Sequence, residues 1–347
     1  MNISTTDAQG LFTKMVVDVY KERSLPTSFL RSFFPTKVTP TLELSIEVQR
    51  GAEKIAVDVV RGTDGNRNTF SRTSEKIFIP PYYKEWFDAT QLQLYDRLYG
   101  ATEINDAIFA SYVNSVVDAQ IDIQSKIERS YEVQCSQVLE TGIVTLVNGT
   151  NIDFKRKSGS LVDKGAGNYW ANNVDPFADL EAGCNFLRQV GKATGGTFNA
   201  ILGSTALTDL LANTKFTARQ NYFNMALDQV AGPVRNAEGM TFHGVVTAGA
   251  YKVQLWSYPQ FYDNTSGVST PYVNPKKVTL IPESPRFNLA FAAVPQLISP
   301  GKMPVTGAYV FREIIEQRSQ SHIMEVSSAG VAIPTAIDTI YTVQVAA

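Results

Sequence analysis

A chain of 347 residues is long enough for a large apolar core divided between two subdomains. Its 44% apolar and 18% charged residues exclude the disordered and collagen-like classes, and a net charge of -2 excludes an excess of positive charge for neutralising a nucleic-acid backbone. Two cysteines, Cys135 and Cys184, are too few for a disulfide framework or a cysteine zinc site, so both read as small buried hydrophobes in a reducing cytosol.

The N-terminal MNISTTDAQGLFTKMVVDVY lacks the basic and apolar regions of a secretory signal, and no run of about 18 apolar residues is present to span a membrane. Leu11, Met15, Val16, Val19 and Tyr20 fall at helical spacing and predict a short amphipathic helix within 5–24, ended by Pro26. Phe29, Phe33 and Phe34 then crowd into FLRSFFP beside a turn, a cluster that must be buried against something. Leu42, Leu44, Ile46 and Val48 alternate with polar residues, the pattern of a half-buried strand. Ile55, Val57 and Val59 form a second alternating run, and Lys76–Ile79 a third that leads into PPYYKEW. The segment 42–80 is therefore predicted as an extended β-arm with a long polar tip. Such a hairpin is marginal alone in water and needs a partner surface from this chain or another. Its tip mixes signs through Arg61, Asp64, Arg67, Arg72, Glu75 and Lys76. It reads either as a solvated loop or as a clamp between subunits, where charge pairs set register more than affinity.

The strongest signal follows. No glycine lies between Gly100 and Gly142, and Ile104, Ile108, Tyr112, Val116, Ile123, Ile127, Tyr131 and Val138 share one helical face. Thr102 suits the N-cap, Glu103 and Asp106 suit the positive end of the dipole, and Gly142 suits the C′ position. A helix over 102–141 would run ~60 Å, long for a compact domain and suited to a spine. Sustained a/d heptads, the mark of a coiled coil, are missing.

Residues 143–155 are predicted as a hairpin around Asn148-Gly149. A glycine-rich loop, SGSLVDKGAGNYW, leads to a mixed region at about 175–330. Leu180–Gln189 and Ser204–Leu211 read as helices, and NAILGS as a buried strand end. Strands are predicted at Val245–Val246, Lys252–Trp256, Val278–Ile281, Tyr309–Ile315 and Thr339–Val345. Long helices with separated strands make an α+β class.

Chemistry is sparse. The two histidines, His243 and His322, are not grouped with other metal-binding side chains. No G-x-S-x-G elbow occurs. Gly191-Lys192 lacks the earlier glycine and the following hydroxyl of a phosphate-binding loop, and Gly165-Ala166-Gly167 lacks the rest of a dinucleotide fingerprint. No catalytic, metal or cofactor site is predicted.

Four segments in collinear order resemble the phage lambda-like major capsid (head) protein family, which has the Hong Kong 97-type fold. They are FLRSFFP with Thr36-Lys37-Val38, FIPPYYK from Phe78 to Lys84, the module from Phe242 to Pro282, and SSAGVAIPTAIDTIYTVQV from Ser327 to Val345. Residues 145–200 match only loosely. The resemblance implies an N-terminal arm (1–38), an extended loop (39–85), and a peripheral domain (86–177) with its spine helix at 102–141. It implies an axial domain (178–326) and a C-terminal strand (327–347) that returns to the peripheral domain. It also implies a non-enzymatic protein that self-assembles through pentamers and hexamers into the icosahedral head of a tailed bacteriophage and encloses double-stranded DNA. Its implied partners are further copies of itself, scaffolding and portal proteins and a decoration protein, with no membrane contact and no sequence-specific DNA binding. The location is the virion, assembled in the bacterial host cytoplasm. On this reading Phe29, Phe33 and Phe34 anchor the arm, Arg61, Asp64, Arg67 and Arg72 reach a neighbouring subunit, and all seven make contacts between subunits. The competing readings are an encapsulin-like non-viral shell and an unrelated cytosolic hydrolase using carboxylates.

Overall fold

The computed structural model describes residues 27–48, 74–88, 106–146, 151–223, 234–235, 239–298, 301–316 and 321–347. The predicted helix within 5–24, the run Ile55–Val59, the loop tip with Arg61, Asp64, Arg67 and Arg72, the cap residue Thr102 and the turn Asn148-Gly149 lie outside these residues. The class is α+β, as the sequence predicts.

A four-residue helix, α1 (Phe29–Ser32), is followed by β1 (Thr36–Val38), β2 (Leu44–Val48), β3 (Ser74–Phe78) and β4 (Tyr82–Asp88). The spine helix, α2, runs from Asp106 to Glu140, which is ~52 Å at ~1.5 Å per residue. It stops where the sequence indicates. Gly142 has φ +75°, and its N–H donates to Gln137 and Val138 carbonyls at 3.2 and 3.0 Å. A Cβ there would also meet the Arg156 side chain at 2.6 Å, so glycine is required for space as well as for the turn.

Two short strands, β5 (Ile143–Val144) and β6 (Ile152–Asp153), form the predicted hairpin, and β7 (Leu161–Asp163) follows. Next come α3 (Pro176–Gln189), β8 (Thr197–Leu202), α4 (Ser204–Ala212), α5 (Thr214–Phe223) and β9 (Val234–Arg235). Asp175 caps α3 by accepting from Phe177 N at 3.0 Å, with Pro176 in the first turn. The strands β10 (Thr241–Ala248), β11 (Tyr251–Ser257), β12 (Phe261–Asp263), β13 (Ser269–Pro271) and β14 (Lys277–Pro282) follow. The chain ends with β15 (Asn288–Phe291), β16 (Val294–Ile298), β17 (Gly301–Val305), β18 (Val310–Glu316), β19 (Ser321–Ile333) and β20 (Tyr341–Gln344).

Two sheets carry the fold. A seven-stranded mixed sheet has the order β7-β20-β14-β8-β11-β10-β9. It packs with α3, α4 and α5 around Trp170, Phe177, Leu180, Phe198 and Phe216. The second sheet has the order β1-β15-β19-β18, with β4 also paired to β19. One face lies on the spine helix, where the Tyr131 ring meets Tyr83 and Phe291 edge-on, each at 5.3 Å. Gly330 allows this approach, since a Cβ there would lie 2.8 Å from both the Phe291 and Tyr131 rings.

The pairing divides the chain differently from the expected segments. The strands β15 and β18, placed by expectation in an axial domain of 178–326, and β19, which straddles its end, belong to the sheet on the spine helix. Of the expected C-terminal strand at 327–347, residues 327–333 lie in that sheet within β19, whereas β20 pairs with β14 and β7 in the seven-stranded one. The chain crosses between the sheets at 283–287 and again at 334–340, so a single cut in sequence cannot separate them.

The extended arm has the predicted form at its base. β2 and β3 pair antiparallel, from Leu44 opposite Phe78 to Val48 opposite Ser74, as a two-stranded ladder outside both large sheets. Leu44 is buried in the core beside the spine helix, which fixes the root of this ladder.

Candidate assembly site

The N-terminal segment from Thr27 to Val38 and the root of the β2/β3 ladder both pack in the core cluster that includes the C-terminal half of the spine helix. A surface helix ordinarily shows water its polar face. Here Glu132, Gln134 and Ser136 are all buried. Each reaches a different segment, so this part of the helix works as a hub.

Glu132 holds the N-terminal segment. Its Oε1 accepts from Leu30 N at 2.8 Å and its Oε2 from Arg31 N at 3.0 Å. These are orphan donors at the start of α1, where Ser28 makes no side-chain cap. Burial pushes the Glu132 carboxyl up to about 7; donors from Leu30, Tyr258 and Arg31, and the Arg31 charge, oppose the shift. Phe29 packs on Phe33, Tyr258 and Trp256, with ring centroids at 5.2, 5.4 and 6.1 Å. Phe34 stacks on Phe287 at 4.9 Å. The Thr27 hydroxyl pairs with the Tyr258 hydroxyl.

Gln134 joins the exit of the β-arm to the body, donating to the Tyr83 hydroxyl at 2.8 Å and accepting from Ala332 N at 3.2 Å. Ser136 donates to the Tyr272 carbonyl, and Glu140 accepts from Asn274 N. At the helix end the Arg156 guanidinium donates to the carbonyls of Leu139, Ser160 and Ile340 at 2.9, 3.1 and 3.1 Å, and to Thr342 Oγ1 at 3.0 Å. Burial pulls Arg156 down to about 10, opposed by the charge of Asp338. One side chain thus ties the spine helix to β20 of the other sheet.

The outer face of β4 is different. Tyr82, Lys84 and Trp86 point away from the helix, and Trp86 is 59% exposed. Tyr83 and Glu85 point toward the helix, where Lys126 pairs with Glu85 at 2.7 Å. Lys84 pairs with the buried Glu325 at 2.9 Å. On the spine helix itself Val117 and Ile121, one turn apart, are also exposed.

The predicted aromatic residues are brought together, but inside their own chain. Phe29 and Phe34 are 3% and 1% exposed and leave no surface for a neighbour, and Phe33 is half-buried against the same core. The rings dock the segment onto the chain that carries it. The structure says nothing of Arg61, Asp64, Arg67 and Arg72, which lie outside the described residues. Glu132, Gln134 and Arg156 carry the hub and were not singled out from sequence. A polar residue on a predicted amphipathic helix is expected to face water, and nothing local marks Glu132 and Gln134 as buried.

Nucleophiles are held quiet. Cys135 and Cys184 are free and buried, and burial raises both thiols, Cys184 to about 12. His243 shares a hydrogen bond with Ser257 Oγ at 2.7 Å, and His322 contacts Glu313 at 2.5 Å. Among the described residues no three His, Cys, Asp or Glu side chains converge as a metal site.

Comparison with known proteins agrees with a shell tile. A family profile described as phage major capsid protein E matches residues 17–345. No curated protein sequence matches. Among solved structures, a protein assigned as a prophage capsid protein from Escherichia coli CFT073 superposes with a TM-score of 0.61 at 13% identity, covering 92% of this chain and 94% of that one. A phage-related protein from Bordetella bronchiseptica RB50 gives 0.52 at 11% identity, covering 92% of each chain. The mature capsid of bacteriophage PhiM1 gives 0.50 at 12% identity, covering 94% of this chain and 89% of that one.

Proposed function

This chain belongs to the phage major capsid protein E family, and from that premise we propose how it assembles. It is a structural protein of the phage virion and not an enzyme, which sets aside the hydrolase and non-viral compartment readings. Copies join head to tail into pentamers and hexamers, and these close into an icosahedral shell around double-stranded DNA. The β2/β3 arm crosses onto a neighbouring subunit, and its tip, with Arg61, Asp64, Arg67 and Arg72, fixes the register of that contact. The chain assembles in the host cytoplasm, with scaffolding, portal and decoration proteins as its further partners. Each contact is modest, and the stability of the shell comes from many contacts made at once.

The observation that carries this reading is the β2/β3 ladder, which pairs with neither large sheet. An isolated two-stranded hairpin is marginal in water, so it gains its stability from a partner surface. The test is negative-stain electron microscopy of the full chain after size-exclusion chromatography, with and without the scaffolding protein of its phage. Closed shells, tubes or capsomer rings are expected. Monomers or dimers under both conditions would overturn the assembly scheme.

A further inference from the structure

Strand β11 ends at Ser257 and β14 begins at Lys277, and both pair with β8 at the same end, where Ser257 and Val278 each lie opposite Leu202. The two ends are therefore two strand spacings apart, about 10 Å, which a few residues would span. The chain instead runs through residues 258–276 and builds a projection there, the antiparallel pair β12/β13, outside both large sheets. Long connections of this kind are usually functional. The root of the hairpin is fixed. Tyr262 packs on Tyr272 at 4.9 Å and Tyr272 on Tyr258 at 5.6 Å, and Ser136 of the spine helix donates to the Tyr272 carbonyl. Its tip is fixed too. Asn264 Oδ1 accepts from Ser266 N at 2.9 Å and from Val268 N at 3.0 Å, and Gly267 takes φ +74°. Side chains alternate along a strand, so with Tyr262 turned to the root, Phe261 projects from the opposite face. Phe261 is 61% and Val268 59% exposed, and Asp263 is the one charged residue in 261–271.

We propose that the β12/β13 hairpin, led by Phe261, is a second contact between subunits and that its partner is another copy of this chain. The contact rests on the assembly scheme above and adds to it an element besides the β2/β3 arm. The chemistry fits the core of an interface, which is rich in aromatic and poor in charged side chains. A hairpin whose tip is already ordered loses little conformational freedom on contact. A two-stranded hairpin also gains stability from a partner surface. The occupant follows from the family: a major capsid protein tiles a shell with copies of itself, so what lies beside a projecting element of one subunit is the next subunit. In a head-to-tail contact Phe261 meets a different surface of that copy, so the same contact repeats around a ring.

The test places a photo-crosslinking side chain at this position, Phe261→p-benzoylphenylalanine, in the full chain, illuminated after assembly with the scaffolding protein of its phage. A crosslinked species of twice the subunit mass, containing this chain alone, is expected. Shells that give no such species, or that crosslink position 261 to a different protein, overturn the hairpin contact and leave the assembly scheme standing. Phe261→Asp is the second variant. The position is exposed, so the subunit is expected to keep its urea midpoint. The concentration needed for assembly is expected to rise on the order of tenfold to a hundredfold, the effect of no longer burying one phenylalanine. An unchanged assembly threshold overturns the contact. If Phe261→Asp does not fold, the crosslink decides. A chain that stops at dimers but crosslinks through position 261 keeps the contact and refutes only the shell scheme, whereas one that stays monomeric overturns both.

Discussion

At the scale of single residues, buried and half-buried polar side chains hold together segments that lie far apart in the chain. Arg156 is the clearest case, joining Leu139 at the end of the spine helix to Ile340 and Thr342 near the C-terminus. Its replacement by methionine would leave partly buried carbonyls without donors, and such groups cost about 1–3 kcal/mol each. Arg156→Met is expected to lower the stability of the unassembled subunit by roughly 2–4 kcal/mol in urea unfolding, with Arg156→Lys in between, because an ammonium cannot span the same fork of acceptors. Phe34→Ala removes a ring stacked on Phe287 in the core. It is expected to cost roughly 3–5 kcal/mol by the same measurement, and an effect well below ~1 kcal/mol would mean that the segment is not docked in the free subunit.

At the scale of elements, the spine helix and the arm do different work. The helix supplies a rigid frame. The ladder of β2 and β3 projects from it with its root pinned by Leu44. Replacing Arg61, Asp64, Arg67 and Arg72 together by alanine is expected to leave subunit stability within about ±0.5 kcal/mol. The same variant is expected to reduce shell yield and the melting temperature of assembled particles, read by calorimetry and electron microscopy. Unchanged particles would show that the tip is only a solvated loop. Long elements were legible in the sequence because periodicity accumulates: the helix predicted at 102–141 is observed from Asp106 to Glu140. Short ones were not. The hairpins of β12 with β13 and β16 with β17 have strands of three to five residues, too few alternations to stand out. The thirteen-residue β19 escaped for the opposite reason. It lies between β4 and β18 and is buried along most of its length, which erases the alternation of a half-buried strand.

At the scale of the whole molecule, the charge balance bears on how the protein meets its contents. A chain of net charge -2 has no excess of cations to release counterions from a duplex. The unassembled subunit is expected to show no retardation of double-stranded DNA in a gel at physiological salt. Tight, salt-dependent binding would point instead to a concentrated basic face. Composition, the helix period, the strand alternation at 42–48 and the order of the four family-like segments settled the class, the spine and the root of the arm from sequence alone. These are local properties, written by side-chain spacing along a single element. What the tertiary structure decided was which elements share a sheet, that β20 leaves the spine-helix sheet for the other, that Glu132 and Gln134 are buried and not facing water, and that the half-buried Arg156 ties the spine helix to β20 of the seven-stranded sheet. Those outcomes depend on which surfaces meet, and a polar residue on a helix face reads the same in sequence whether water or another segment lies against it.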